Sequence, residues 1–201
     1  MKLLQRCIAI IMVMFLIVAA GSNFACSREQ STATPPPTTP TPTTIVIAPS
    51  TINLVNGQVF VLKPGATAWV EASDGMELEV GDAVKTGAKG YALIVFFEGS
   101  AMEIGEFTEL SVVELDKTEA GSTTINLRQT IGETVNRVEQ LVDAASSYEV
   151  ETPAGVALVR GTSYKLHVDE DGVTIMDVLK GEGCFEAQGH IECALEGFHI
   201  I

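Results

Sequence analysis

Seventeen glycines cut residues 51–201 into short lengths, and those lengths alternate. Residues 58–62, 77–80, 109–115, 124–127 and 164–168 show period-two alternation or β-branched enrichment, the spacing of strands that bury one face. After Pro64 the domain holds a single proline, Pro153. The expected fold class is therefore all-β: a single β-rich domain of short strands and hairpins, sandwich- or solenoid-like. The run Leu93-Ile94-Val95-Phe96-Phe97 does not alternate and predicts a strand buried on both faces. Trp69, the sole tryptophan, is expected as a core anchor. One stretch stays open. Ile131, Val135, Val138, Leu141, Val142 and Ala145 fall near helical spacing, so one short helix near 131–145 competes with strand there.

Two hairpins can be registered from the residues alone. For the first, a two-residue turn at Asp171-Gly172 would put Asp177 on the buried face opposite Leu166. A three-residue loop, Glu170-Asp171-Gly172, instead pairs Val168 with Thr174, Leu166 with Met176 and Tyr164 with Val178. Register follows the apolar face, which favours the three-residue loop with a left-handed Gly172. In the second, Gln188-Gly189 reads as a two-residue turn. Ala187 then faces His190, Glu186 faces Ile191, Phe185 faces Glu192 and Cys184 faces Cys193. Alternation outward from the turn makes Cys184–Cys193 a non-hydrogen-bonded pair, with Cα atoms about 4.5 Å apart, within reach of a disulfide. An oxidising compartment permits that bond; two reduced thiols side by side is the alternative. A fainter echo links residues 84–94 with residues 150–159, as two related strand–turn–strand units would.

The N-terminus precedes the fold. Lys2 and Arg6 lead into fourteen apolar residues, 7–20, which suits a secretory h-region and is short for a membrane span. Ala25-Cys26 resembles a lipoprotein processing site with Cys26 as the acylated residue, although Asn23 stands where an aliphatic is usual. Ordinary cleaved export and an uncleaved anchor are the alternatives, and all three put the remainder outside the cytoplasm. Residues 1–25 are thus read as signal peptide, 26–50 as a Pro/Thr-rich tether and 51–201 as the domain. Residues 31–44 hold five of the eight prolines and cannot join a ladder. Extended, such a spacer reaches roughly 40–60 Å; a glycosylated stalk has the same composition. The formal charge of −14 deepens by two once Lys2 and Arg6 leave. Such a surface repels phosphates, which sets nucleic acid aside and leaves the N-terminal anchor as the contact with a lipid bilayer.

The sequence shows none of the usual metal-ligand or nucleophile spacings, while its 26 acids leave paired carboxylates for acid–base work open. His167, His190 and His199 show no ligand spacing. No serine has a nucleophile-elbow context, and Asp169-Glu170-Asp171-Gly172 lacks the length of a calcium loop and reads as an acidic hairpin tip. No cofactor is implied. Arg160, between Val159 and Gly161, reads as a structural guanidinium bonded to buried carbonyls or a carboxylate, with direct partner contact as the alternative.

The phrases Gly57-Gln58-Val59, residues 69–72, 75–87 and 92–100, Tyr148-Glu149-Val150-Glu151-Thr152-Pro153, Val159-Arg160-Gly161-Thr162 and Val178-Leu179-Lys180-Gly181 occur in an order that resembles the FecR family, named for the ferric-citrate regulator. The most specific element is Thr152-Pro153 followed by Arg160-Gly161-Thr162. The resemblance implies an all-β extracytoplasmic module that transmits or anchors and catalyses nothing. Ferric-citrate-type regulators carry a cytoplasmic sigma-holding segment; six residues before the apolar run are too few for one. The expectation is a membrane-tethered interaction or signal-sensing module in the bacterial envelope, its partner unspecified, with a structural envelope protein that binds wall polymer or surface proteins as the alternative.

Overall fold

The computed structural model describes residues 49–201. The expected signal peptide, Cys26 and nearly all of the tether lie outside the described residues. The strands in chain order begin with β1 (Ser50–Asn56), β2 (Val59–Leu62), β3 (Val70–Glu71), β4 (Met76–Leu78), β5 (Ala83–Thr86), β6 (Tyr91–Val95), β7 (Ala101–Ile104) and β8 (Glu109–Lys117). They continue with β9 (Thr123–Arg137), β10 (Ser147–Glu151), β11 (Val156–Val159), β12 (Ser163–Val168), β13 (Thr174–Lys180), β14 (Glu182–Ala187), β15 (His190–Leu195) and β16 (His199–Ile200). Among the described residues there is no helix. The fold class is all-β.

All sixteen strands belong to one mixed sheet that folds over along β9. The first half of β9 pairs with β8 and, in parallel, with β10; the second half pairs with β7 and β12. One leaf therefore runs β3-β2-β5-β8-β9-β10-β11-β14-β15, and the other runs β4-β1-β6-β7-β9-β12-β13-β16. Their inner faces share one core, in which Val59, Leu127, Val150 and Phe185 of the first leaf meet Ile52, Ile94, Leu166 and Met176 of the second. Phe96 and Tyr148 meet edge to face across it, ring centres 5.8 Å apart.

The fold-over has a local cause. Along β9 the buried positions are Thr123, Ile125, Leu127 and Gln129, then Thr134 and Asn136, so the inward face switches from odd to even numbers around Gly132. Gly132 has φ +99°, and a Cβ there would lie 2.3–2.7 Å from Thr108, so no other residue fits the bend. A polar chain stitches the bend from inside. The Tyr148 hydroxyl donates to Asn136 Oδ1 (2.9 Å), Asn136 Nδ2 to Thr134 Oγ1 (3.0 Å), Thr134 Oγ1 to Gln129 Oε1 (2.8 Å) and Gln129 Nε2 to the Gly132 carbonyl (2.8 Å). All of these side chains are buried, and burial raises the Tyr148 phenol above its ordinary value. Satisfied buried polar groups of this kind fix one geometry rather than several.

This bend resolves the open stretch at 131–145 and overturns its helix. The helical spacing came from a strand that changes face at Gly132, followed by an irregular segment in which Val138 and Leu141 are buried while Val142 is 93 % exposed. Two further expectations are corrected. The 93–97 run ends as a strand at Val95, and its second face is only half-covered, Leu93 and Val95 being half-buried. Trp69 is half-buried rather than a core anchor, with Lys85 Nζ 4.2 Å from its ring centre. Nor does the echo of 84–94 in 150–159 survive in space. β10 and β11 form a hairpin, whereas β5 and β6 pair into different leaves. The 164–179 hairpin has the expected register, with Tyr164 opposite Val178, Leu166 opposite Met176, Val168 opposite Thr174, and Gly172 at φ +81°.

Candidate functional site

The outer face of the first leaf carries the candidate site. Because strand residues alternate in and out, facing partners line up in rows across the leaf. One row runs Glu114, Asn126, Glu149, Leu158, Cys184, Cys193, from β8 to β15. The next runs Arg128, Glu151, Val156, Glu186, Ile191. An open depression of about 410 Å³ lies over Glu149, Leu158 and Cys184 of the first row, bordered by Ser147, Arg160 and Glu182 on one side and by Ile191 of the second row on the other. Leu158, Val159, Cys184 and Ile191 give it an apolar floor and wall; Glu149, Glu182 and Arg160 provide its charge.

The electrostatics are uneven. Arg128 holds Glu151 with N–O distances of 2.9 and 2.7 Å, and that hydrogen bond is the main cause lowering the Glu151 carboxyl. Glu149 has no such partner. Burial first, then the nearby Glu151, Glu114 and Glu186 carboxylates, raise it above the ordinary carboxylate range. A cation arriving beside Glu149 would relieve that strain. Glu182 also lies with the two cysteine sulfurs in a group whose donor atoms are within 4.8 Å. Cys184 and Cys193 are joined, Cα to Cα 4.0 Å, so their sulfurs are spent on each other.

The sequence-singled residues fall around this depression in structural roles. Thr152 and Pro153 close the β10–β11 turn, where Thr152 N and Oγ1 both donate to the Gly155 carbonyl (2.7 and 3.1 Å). Arg160, Gly161 and Thr162 form the crossing from β11 to β12, beside the return crossing at 138–146. Arg160 donates to the carbonyls of Asp143 (2.5 Å) and Ala144 (3.3 Å), and Gln140 Nε2 donates to the Arg160 carbonyl (2.8 Å). Gly161 has φ +118°, with Gln140 where its Cβ would be. The buried Thr162 donates to the Glu182 carbonyl (2.5 Å). The carbonyl partners of Arg160 match the sequence reading, but its burial does not: the side chain is exposed because the crossing it spans lies on the surface.

Sequence reasoning missed Glu149, Glu182, Leu158 and Ile191. A signal was present in 156–159, where Val156 and Leu158 are apolar although Ala157 and Val159 already supply the inward face. A second missed pair is Asp82, fully buried, which accepts from Lys63 Nζ (2.7 Å) and Glu79 N (2.8 Å). That pairing makes the Gly81-Asp82 phrase a structural corner.

The FecR protein family matches residues 82–182, half of the chain, from Asp82 to the rim residue Glu182. The chain belongs to the FecR family. The family is one of signal-transduction domains, and the match spans β5 to β13, both crossings and the Thr-Pro and Arg-Gly-Thr elements. No curated protein matches the chain. Two crystal structures of a Parabacteroides distasonis protein described as an anti-sigma factor are similar at 14 % identity and a TM-score of 0.49, covering 58 % of this chain. The chain spans about half of that protein, 52 %.

Proposed function

We propose that this FecR domain is an extracytoplasmic, membrane-tethered module that binds another protein in a signalling assembly and performs no catalysis. The observation that carries the reading is the apolar depression on the outer face of the first leaf. An apolar floor ringed by charges is how interaction sites are built, and here it sits on the paired strands β10, β11 and β14 with the edge strand β15 at its margin. The leader, Cys26 and the Pro/Thr spacer of the sequence support a location outside the cytoplasm, held off the membrane. FecR membership supports a regulatory rather than a catalytic role.

The test is crosslinking of the full chain in intact envelopes, wild type against Leu158→Glu, which places a charge on the floor of the depression. Recovery of one signalling membrane protein by the wild type, reduced at least about tenfold by the variant, is the expected result. Recovery of bulk wall polymer by both would instead favour a structural envelope protein.

A further inference from the structure

Four strands among the described residues have a single partner: β3, β4, β15 and β16. Three of them are two or three residues long, which by itself protects an edge from pairing. β15 is the exception. It runs six residues in unbroken register along β14, with no bulge, no proline and no lysine. These are the devices that usually guard a sheet edge.

The backbone of β15 is poised to accept another strand. The Gln188-Gly189 turn has φ +52° and +77°, and the pair flanking a two-residue turn of this kind exchanges hydrogen bonds. Counting outward, His190, Glu192 and Ala194 point their N–H and C=O groups at β14. Ile191, Cys193 and Leu195 point theirs away from the sheet. The Leu195 carbonyl is taken by Phe198 N (3.0 Å); among the described residues nothing bonds the outward groups of Ile191 or Cys193. The side chains of these same residues lie on the outer face, where Ile191 borders the depression and Ile191 and Leu195 are 62 % and 61 % exposed.

The charge carried by the chain from β14 to the last residue has one sign. From Gly181 to Ile201 the chain carries Glu182, Glu186, Glu192 and Glu196 and no lysine or arginine. Glu186 faces Ile191 and Glu182 faces Leu195 across the ladder. A second copy of this edge would bring four carboxylates against four. A cationic strand would meet them.

We infer that β15 is a docking edge for an extended, basic segment of a partner protein, which adds as a further strand to the first leaf. The segment alternates: apolar side chains stand beside Ile191, Cys193 and Leu195 and spread over the depression, and lysines or arginines between them fall on the opposite face, beside Glu192. Backbone pairing supplies the attachment and the alternation supplies the selectivity. This inference rests on the interaction reading above and specifies how the partner is held.

The probe is a blocked heptapeptide of alternating valine and lysine, offered to the full chain in mild detergent. Saturating peptide is expected to slow amide exchange at Ile191 and Cys193 at least about tenfold and to bind more weakly as salt rises. A proline at the central valine, or glutamate in place of lysine, is expected to weaken binding at least about tenfold. Absence of binding, binding without protection of Ile191 and Cys193, equal binding of the proline peptide, or dimers held through β15 in sedimentation would each overturn the inference. Ile191→Lys, at an exposed position, separates this from the broader reading when both forms are crosslinked in envelopes. Capture of the same signalling protein by both overturns the edge alone; capture by neither overturns the interaction reading itself.

Discussion

Arg160 shows how a charged residue in an apolar setting can be structural without being buried. Its guanidinium spans two carbonyls of the neighbouring crossing from the solvent side. Water can replace those bonds, so Arg160→Met is expected to cost about 1 kcal/mol, well below the penalty of uncovering a buried charge, as read by urea unfolding. Glu149 has the opposite problem. Burial, and then the neighbouring carboxylates, raise its folded carboxyl above the ordinary value, so the folded state holds the proton more tightly than the unfolded chain does. The penalty is absent below the unfolded value. It grows as pH climbs through the raised folded value, and is complete above it. Glu149→Gln is therefore expected to stabilise the protein at neutral pH by about a few tenths of a kcal/mol in this half-exposed setting, read as a raised melting temperature. The two proteins should converge in acid, and equal separation at every pH would remove the electrostatic cause.

At the level of elements, β9 and the β14–β15 hairpin carry opposite lessons. Gly132→Ala forces a Cβ into Thr108 at a left-handed φ, and about 3 kcal/mol or more of destabilisation is expected from denaturant unfolding. In the hairpin, no free thiol is expected in the non-reduced domain of residues 51–201 and two after reduction, with a loss of roughly 2–3 kcal/mol. Thiol titration and paired melts check both. The hairpins at 164–179 and 184–193 were legible in the sequence because their register depends on neighbours: a turn residue, an apolar face and a count. The same locality explains the failures. At 131–145 a strand that changes face at Gly132 imitates helical periodicity, since periodicity presumes one environment along a whole segment. The parallel pairing of β9 with β10 left no local mark. The depression is assembled from β10, β11, β14 and β15, so Glu149 and Ile191 become neighbours only through ladder register, and no spacing along the chain announces them.

On the scale of the whole molecule, the chain divides its duties along its length. The first fifty residues read as delivery and reach, and Cys26→Ala is expected to move the protein from the membrane fraction to the soluble fraction. Mass spectrometry of the native N-terminus checks the acylation directly. The remaining residues build two leaves whose only shared strand, among the described residues, is β9. That arrangement has a mechanical reading. The described chain enters the second leaf at Ser50, in a strand held on both sides, while β15 lies at the far margin of the first leaf. Within the strand ladders a tension applied between those two places runs through β9, and beside it run the one-residue crossing at Gly181 from β13 to β14 and the Thr174–Thr152 hydroxyl contact. The kink at Gly132 shares that load with those crossings, so a backbone position that admits no side chain is also one of the links that would bear it.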